Sequence, residues 1–382
     1  MPKYKFADLV YNITEKRLPV AGDEVFYIGL EHLDSGKLKV TRWGSKVAIK
    51  GEKLVMKKGD ILFGRRNTYL RRVAIAPHDG IFSAHGMIFR PKKEVINEDF
   101  FPFFIASDYF MDEAIRISVG SLSPTVNWGE LKELEFEIPS LEKQKELAKI
   151  LVAANQTKEN YEELLLKTDE LVKSQFIEMF GDPELNPKSW PIKSLSEVAE
   201  SFIGLTYKPK DVSPNGTIVL RSSNIQDSEI YLDDQVRVNT VIKEKLYVEE
   251  NDILMCSRNG SASLVGKVAK IPKLSERMTF GAFMTIIRSR YSDYLFTYFQ
   301  LPAFRKQVNT GTATINQITQ KMLDNVRLPI PEFSAVERFS KLLTQTDKSK
   351  VNLQKGLKRL ENTKNMIIQS FSNERRIKNA YV

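Results

Sequence analysis

Two loops rich in arginine, asparagine, serine and threonine are the chain's most chemically specific segments, and they occur at matching places in its two halves. After Asp60-Ile61-Leu62-Phe63 come Arg65, Arg66, Asn67, Tyr69, Arg71 and Arg72. After Asp252-Ile253-Leu254 come Ser257, Arg258, Asn259, Gly260, Ser261 and Ser263. An arginine fork fits guanine O6 and N7, and an asparagine amide pairs with adenine. Lysine, serine and threonine suit phosphate oxygens. Two further polar loops follow short helical stretches. One spans 118–127 and carries Ser121, Thr125 and Asn127; the other spans 309–316 and carries Thr312, Thr314 and Asn316. Glycine among small hydroxyl residues lets a backbone come close to a sugar–phosphate chain. Residues 1–90 hold 17 Lys+Arg against 9 Asp+Glu, and residues 257–290 hold seven against one, so both loops sit in basic surroundings. The plainer alternative is a solvated charge run with ordinary connecting loops. Repetition at equivalent places favours binding.

Other chemistry finds little footing. His32, His78 and His85 lack a second His or Cys at metal-ligand spacing. No Gly-x-Ser-x-Gly elbow supports a hydrolytic triad. The stretch from Gly260 to Gly266-Lys267 has one residue too many for a phosphate loop, and Val268 stands where magnesium needs Ser or Thr. No Asn-Pro-Pro-aromatic or Asp-Pro-Pro-aromatic run, as an adenine methyltransferase would need, is present. The single cysteine, Cys256, excludes an internal disulfide and reads as a buried, inert thiol.

The elements that must position these loops are duplicated. Gly59-Asp60-Ile61-Leu62 reappears 192 residues later as Asn251-Asp252-Ile253-Leu254, and Ile138-Pro139 as Ile330-Pro331. Tyr27-Ile28 with Val219-Leu220, and Leu131 with Leu323, keep that offset, which predicts an ungapped register over about 27–139. Short β-branched or aromatic runs predict strands at 25–28, 60–63, 73–76 and 87–89, repeated at 217–220, 252–255, 268–271 and 285–287. Helices are expected over 100–117 and 294–308. Each copy then reads as one α+β domain.

A stretch without Gly or Pro runs from 141 to 180, with Ser140 placed to cap it. Its apolar positions, Leu147, Ile150, Leu151, Ala154, Tyr161, Leu164, Leu165, Thr168, Leu171 and Val172, alternate spacings of three and four. A helix of that length is ~60 Å long and needs a partner helix. Phe339, Leu342, Leu343, Thr346, Leu353, Leu357, Leu360, Ile367 and Phe371 supply one after Pro331. An antiparallel rod carrying a domain near each end follows; each helix folding back on its own domain is the alternative. The segment from Gly181-Asp182-Pro183 to Trp190 is a linker dense in turn formers, and Arg375-Arg376-Ile377-Lys378 is expected to fray. The expected domains are 1–140, 141–181, 182–331 and 332–382, with pseudo-twofold symmetry that would suit duplex DNA.

Bulk properties agree with a nucleic-acid partner without requiring one. The 382 residues carry a formal charge of +9. The N-terminus has no signal-peptide pattern and no run approaches 18 apolar residues, so a cytoplasmic protein without membrane spans is expected.

In order and duplication these marks resemble the specificity subunits of type I restriction–modification systems. The resemblance covers nearly the whole chain. It rests on the two Asp-Ile-Leu runs, on Ser257-Arg258-x-Gly260, on the Gly-Thr/Ser loops leading to Leu131 and Leu323, and on Met179-Phe180-Gly181-Asp182-Pro183 with Asn186-Pro187 and Trp190. It implies an α+β fold of two tandem target-recognition domains joined by two long antiparallel helices. It also implies a non-catalytic chain in which each domain reads half of a bipartite site on double-stranded DNA, with the helices as a ruler. Partners would be two modification subunits that use S-adenosylmethionine to methylate adenine, and up to two restriction subunits using ATP and Mg. The chain itself would hold no cofactor. The first copy departs from the pattern: Arg65 replaces Ser257 and Thr68 stands where Gly260 stands, so its loop is expected to follow another path and its half-site to differ. The rivals are a coiled-coil scaffold that does not bind DNA and a self-contained methyltransferase or nuclease.

Overall fold

Strands buried on both faces organise each half of the chain. The computed structural model describes residues 1–308 and 317–378, with side chains as far as Ile367 in the last helix. The loop 309–316, with Thr312, Thr314 and Asn316, lies outside the described residues, as do 379–382. The chain divides into two units, Met1–Glu163 with Leu353–Val382, and Leu164–Asn352.

In the first unit a four-stranded antiparallel sheet has the order Val10–Ile13, Met87–Pro91, Ile61–Phe63, Val73–Ile75. Successive side chains on a strand point to opposite faces. Ile61 and Phe63 therefore enter a core with Phe6, Phe110 and Phe136, while Leu62 enters a second core with Ile28, Met56 and Phe82. A second sheet pairs Lys53–Met56 with Gly80–Phe82, and Tyr27–Ile28 lies parallel to the latter. The first and last strands, Lys3–Lys5 and Glu135–Glu137, pair antiparallel.

The second unit repeats this plan. Its four-stranded sheet runs Glu200–Ile203, Met284–Arg288, Ile253–Cys256, Val268–Lys270. Ile253 and Met255 enter one core and Leu254 and Cys256 the other. Val212–Leu220 lies parallel to Met278–Phe280, and Ile192–Ser194 pairs with Arg327–Pro329.

Several expectations need correction. The register is not ungapped: Ile61 lies opposite Phe89 and Ile253 opposite Ile287, an offset of 198, whereas the closing strands return to 192. Longer connections in the second unit are offset by shorter ones later. The 25–28 strand is halved, since Asp23–Phe26 is a helical turn and only Tyr27–Ile28 is extended. The helix expected at 100–117 is two, Phe101–Ile105 and Asp108–Arg116. Ser107 caps the second by accepting from the Phe110 amide at 3.3 Å. The helix expected at 294–308 is Ser292–Tyr298 and Pro302–Val308, because Pro302 cannot donate to a continuing turn and fits a first one.

The central helix is Leu141–Phe180 and the C-terminal helix Phe333–Lys378, which includes the residues expected to fray. In the first unit, Leu147, Ala148 and Leu151 join the core, and the fully buried Gln144 donates to the Val95 and Pro139 carbonyls. Lys158 pairs with Glu361 at 2.9 Å, and the Tyr161 ring packs where Gly356 has no Cβ, an antiparallel match. In the second unit Phe176 stacks on Tyr294 and meets Phe339 edge-on, Phe180 meets both rings edge-on, and Lys350 pairs with Asp169, again antiparallel. The expected stripe is only partly correct. Ile150, Leu164 and Leu171 are about half exposed, since a two-helix seam is narrow, and the missed Phe176 and Phe180 are the true anchors. The helix ends at Gly181, whose φ of 82° closes the last turn with its amide on the Ile177 carbonyl at 2.8 Å. The following segment is a folded clasp: Trp190 donates its indole N–H to the Phe180 carbonyl at 3.0 Å, and Asn186 bonds the Trp190 backbone in both directions. No described helix is long and apolar enough to cross a membrane.

Candidate nucleic-acid interface

Each candidate loop leaves a strand that is anchored at its opposite end. The buried carboxylate of Asp60 accepts from Arg90 Nε at 2.8 Å and Nη2 at 2.9 Å, and from the Lys57 amide at 2.8 Å. Asp252 accepts from Arg288 Nε at 2.8 Å and Nη2 at 2.7 Å, and from the Glu249 amide at 2.8 Å. The hydrogen bonds to these aspartates raise both guanidinium pKa values above the ordinary arginine value. The repeated Asp-Ile-Leu run is thus an anchor for the strand.

At the far end, the post-strand loop is held against the second polar loop. Arg66 forms an antiparallel bridge with Thr125, and the Val126 amide donates to the Arg65 carbonyl at 3.0 Å. In the second unit Arg258 bridges Gln317, and the Ile318 amide donates to the Ser257 carbonyl at 2.7 Å. All four positions keep the offset of 192. Val126 and Ile318 are buried in their cores, which fixes the clamp to the fold.

Within this frame the residues divide into outward-facing and structural ones. Arg66, Ser121, Asn127, Arg258 and Ser261 are exposed, and Arg65, Asn67, Arg72, Thr125 and Asn259 are half-buried. Arg66 Nε donates to Ser123 Oγ at 3.2 Å, which leaves the rest of its fork outward. Arg258 lies over the Phe283 ring, 5.3 Å from its centroid, and the backbone carbonyl of Phe283 accepts from the Ser257 and Arg258 amides. Ser257 is 8% exposed and its hydroxyl donates to Thr285 at 2.6 Å, so it builds the loop from within. Arg71 holds Asp108 and Asp112 of the neighbouring helix, so its charge is already matched. The loops do follow different paths. The first has a short turn over Thr68–Leu70 between Asn67 and Arg71, both at positive φ; the second is longer, with its turn over Ala262–Leu264.

Sequence reasoning missed a third element. Turns at Leu30–His32 and Ser222–Asn224 follow the matched strands and share one cap: Gly29 N–H donates to His32 Nδ1, and Arg221 N–H to Asn224 Oδ1, both at 2.9 Å. Asn259 donates to Ser222 Oγ at 3.1 Å, which ties this turn to the loop. The offset that matched Tyr27-Ile28 with Val219-Leu220 could have led to it, as it could to Gln317. Phe283, 58% exposed beneath Arg258, had no such signal. Among the described residues four buried side-chain polar atoms lack a hydrogen-bond partner: Arg65 Nε, Asn67 Oδ1, His78 Nε2 and Arg221 Nε. Such atoms are normally satisfied, and three of them lie on these loops. No group of three His, Cys, Asp or Glu suited to a metal occurs among the described residues. Cys256 is buried, which raises its thiol pKa.

The family model for the type I restriction modification DNA specificity domain matches residues 18–166 and 187–362. The chain belongs to this family, that of the specificity subunits of type I restriction–modification systems. It is 27% identical over 182 residues to the EcoKI specificity subunit of Escherichia coli (strain K12), a match covering 44% of this chain and 39% of that one. The StySPI specificity subunit of Salmonella potsdam matches to the same extent, so the chain spans well under half the length of these two relatives. The putative MjaX specificity subunit of Methanocaldococcus jannaschii is 23% identical over 369 residues, 87% of this chain and 84% of that one. Among solved structures, the S subunit from M. genitalium matches with a TM-score of 0.59 at 14% identity, covering 97% of this chain and 95% of that one. A chain from a study of type I R-M complex assembly and conformational transition matches at 0.54 and 18% identity, covering 97% of each. At such identities the likeness concerns the fold.

Proposed function

We propose that the chain reads a bipartite sequence on double-stranded DNA, one half-site per unit, and directs partner subunits to it. Those partners are two modification subunits that use S-adenosylmethionine to methylate adenine and, where present, restriction subunits using ATP and Mg. The observation that carries this reading is the repeated clamp, Arg66 with Thr125 and Arg258 with Gln317, which presents an arginine in the same backbone setting twice. In each unit the arginine fork would address a base edge, while Ser121, Asn127 and Ser261 would address phosphate or sugar. Thr312, Thr314 and Asn316 belong to the same proposal by sequence alone. The half-sites differ because the readers differ: Arg65-Arg66-Asn67 in one, Ser257-Arg258-Asn259 in the other.

Gel shifts on duplexes carrying the motif found from methylated adenines in the source cells test this. Inserting one base pair into the nonspecific spacer turns one half-site by about 34° about the axis and should abolish recognition. Binding should also weaken steeply with salt. Unchanged recognition after the insertion, or no sequence preference at all, would refute the reading, and the latter would favour a protein-binding scaffold.

A further inference from the structure

Arg221 stands just before the capped turn Ser222–Asn224, where the first unit has Gly29. The turn is firmly built: the buried Asn224 amide donates to the Tyr231 carbonyl at 2.8 Å and the Asp234 carbonyl at 3.0 Å, and its oxygen takes the Arg221 amide. It is joined to the reading loop through Ser222 and Asn259. The Arg221 side chain is held by a single exposed carboxylate, Asp234 at 2.6 Å, and this pose leaves Nε covered and without an acceptor. An arginine can offer two parallel donors to one acceptor pair, and here only one end of the fork is engaged. A surface carboxylate is a weak competitor for it. The site therefore has a well-fixed backbone carrying a guanidinium whose present bonding is incomplete.

We propose that Arg221 is a specificity-determining residue of the second half-site: on binding it leaves Asp234 and forks onto O6 and N7 of one guanine. This rests on the chain being a duplex reader. The first unit has no counterpart, because Gly29 carries no side chain, so the effect is confined to one half-site.

The test is a selection from random duplexes with the full chain, comparing wild type with Arg221→Ala and Arg221→Lys. Both variants should relax one guanine in one half of the motif and leave the other half intact, which also shows that they fold. Replacing that guanine by 7-deazaguanine, which lacks the N7 acceptor, should weaken wild-type binding about tenfold and leave Arg221→Ala unaffected. Three results overturn the proposal: an unchanged motif in Arg221→Ala, a uniform loss across all sequences that Arg221→Lys restores (a phosphate contact only), or equal relaxation of both halves. If wild type itself enriches no motif, the reading beneath the proposal fails first.

Discussion

Replacing Arg288 by alanine should destabilise the second unit by about 2–4 kcal/mol. Asp252 is 2% exposed, and three donors reach it, two of them from Arg288. Without the arginine the carboxylate keeps only the Glu249 amide. Breaking a buried ion pair by removing one member typically costs about 3–5 kcal/mol. The Arg288 side chain is 26% exposed, so water can partly replace it, which lowers the figure. With a urea slope of about 2 kcal/mol/M, the midpoint should fall by roughly 1–2 M. Trp190 lies in the second unit and Trp43 and Trp128 in the first, so single-tryptophan chains report each separately. The matching Arg90→Ala should shift the first unit less, since the Arg90 side chain is 39% exposed and Arg288 has additional partners in Glu249 and the Tyr247 carbonyl. Pairing Arg288→Met with Asp252→Leu should recover at least half of the loss, because no carboxylate is then stranded. A loss below about 0.5 kcal/mol for Arg288→Ala, or a double variant as unstable as the single one, would refute the anchor argument.

His32 must keep its Nδ1 lone pair to accept the Gly29 amide, and burial lowers its pKa. The folded state therefore binds fewer protons than the unfolded one: the first unit should be fully stable above the unfolded-state value of about pH 6.5 and weaken as the pH falls from there through the lowered folded-state pKa. His32→Asn, which copies Asn224, should remove this dependence in melts from pH 7.5 to 5. Gly181→Ala should cost about 1–2 kcal/mol, since φ is 82° and a Cβ would lie 2.7 Å from Pro187; a urea titration followed at Trp190 measures it. Ser257→Ala should cost about 1 kcal/mol in stability yet leave the salt slope of DNA binding unchanged, because the hydroxyl faces Thr285 and not outward.

The frame was more legible in the sequence than the contact surface. Glycine and proline punctuation delimited a 40-residue helix whose bounds the structure keeps, and the Asp-Ile-Leu runs marked strands because a strand buried on both faces is apolar without interruption. Side-chain partners were not legible, since they depend on tertiary neighbours. Arg71 looked like any other arginine of its cluster until Asp108 and Asp112, 37 and 41 residues on, came to lie beside it. Ser257 shared a motif with Arg258 but turned inward. The interruption of the repeat register was likewise hidden, because both ends of the repeat keep one offset while the connections between them exchange length.

The clasp after the central helix bears on how this chain tolerates change in length. A flexible linker absorbs an added residue as slack. This one cannot, because Trp190 closes on the last helical carbonyl and Asn186 spans the turn with both ends of its amide. Ile192 therefore enters its strand from a fixed point, two residues after a closed ring of hydrogen bonds. A single inserted residue between 183 and 189 should act as a change of angle at the start of the second unit's sheet. Substitutions there should be tolerated far better than insertions or deletions.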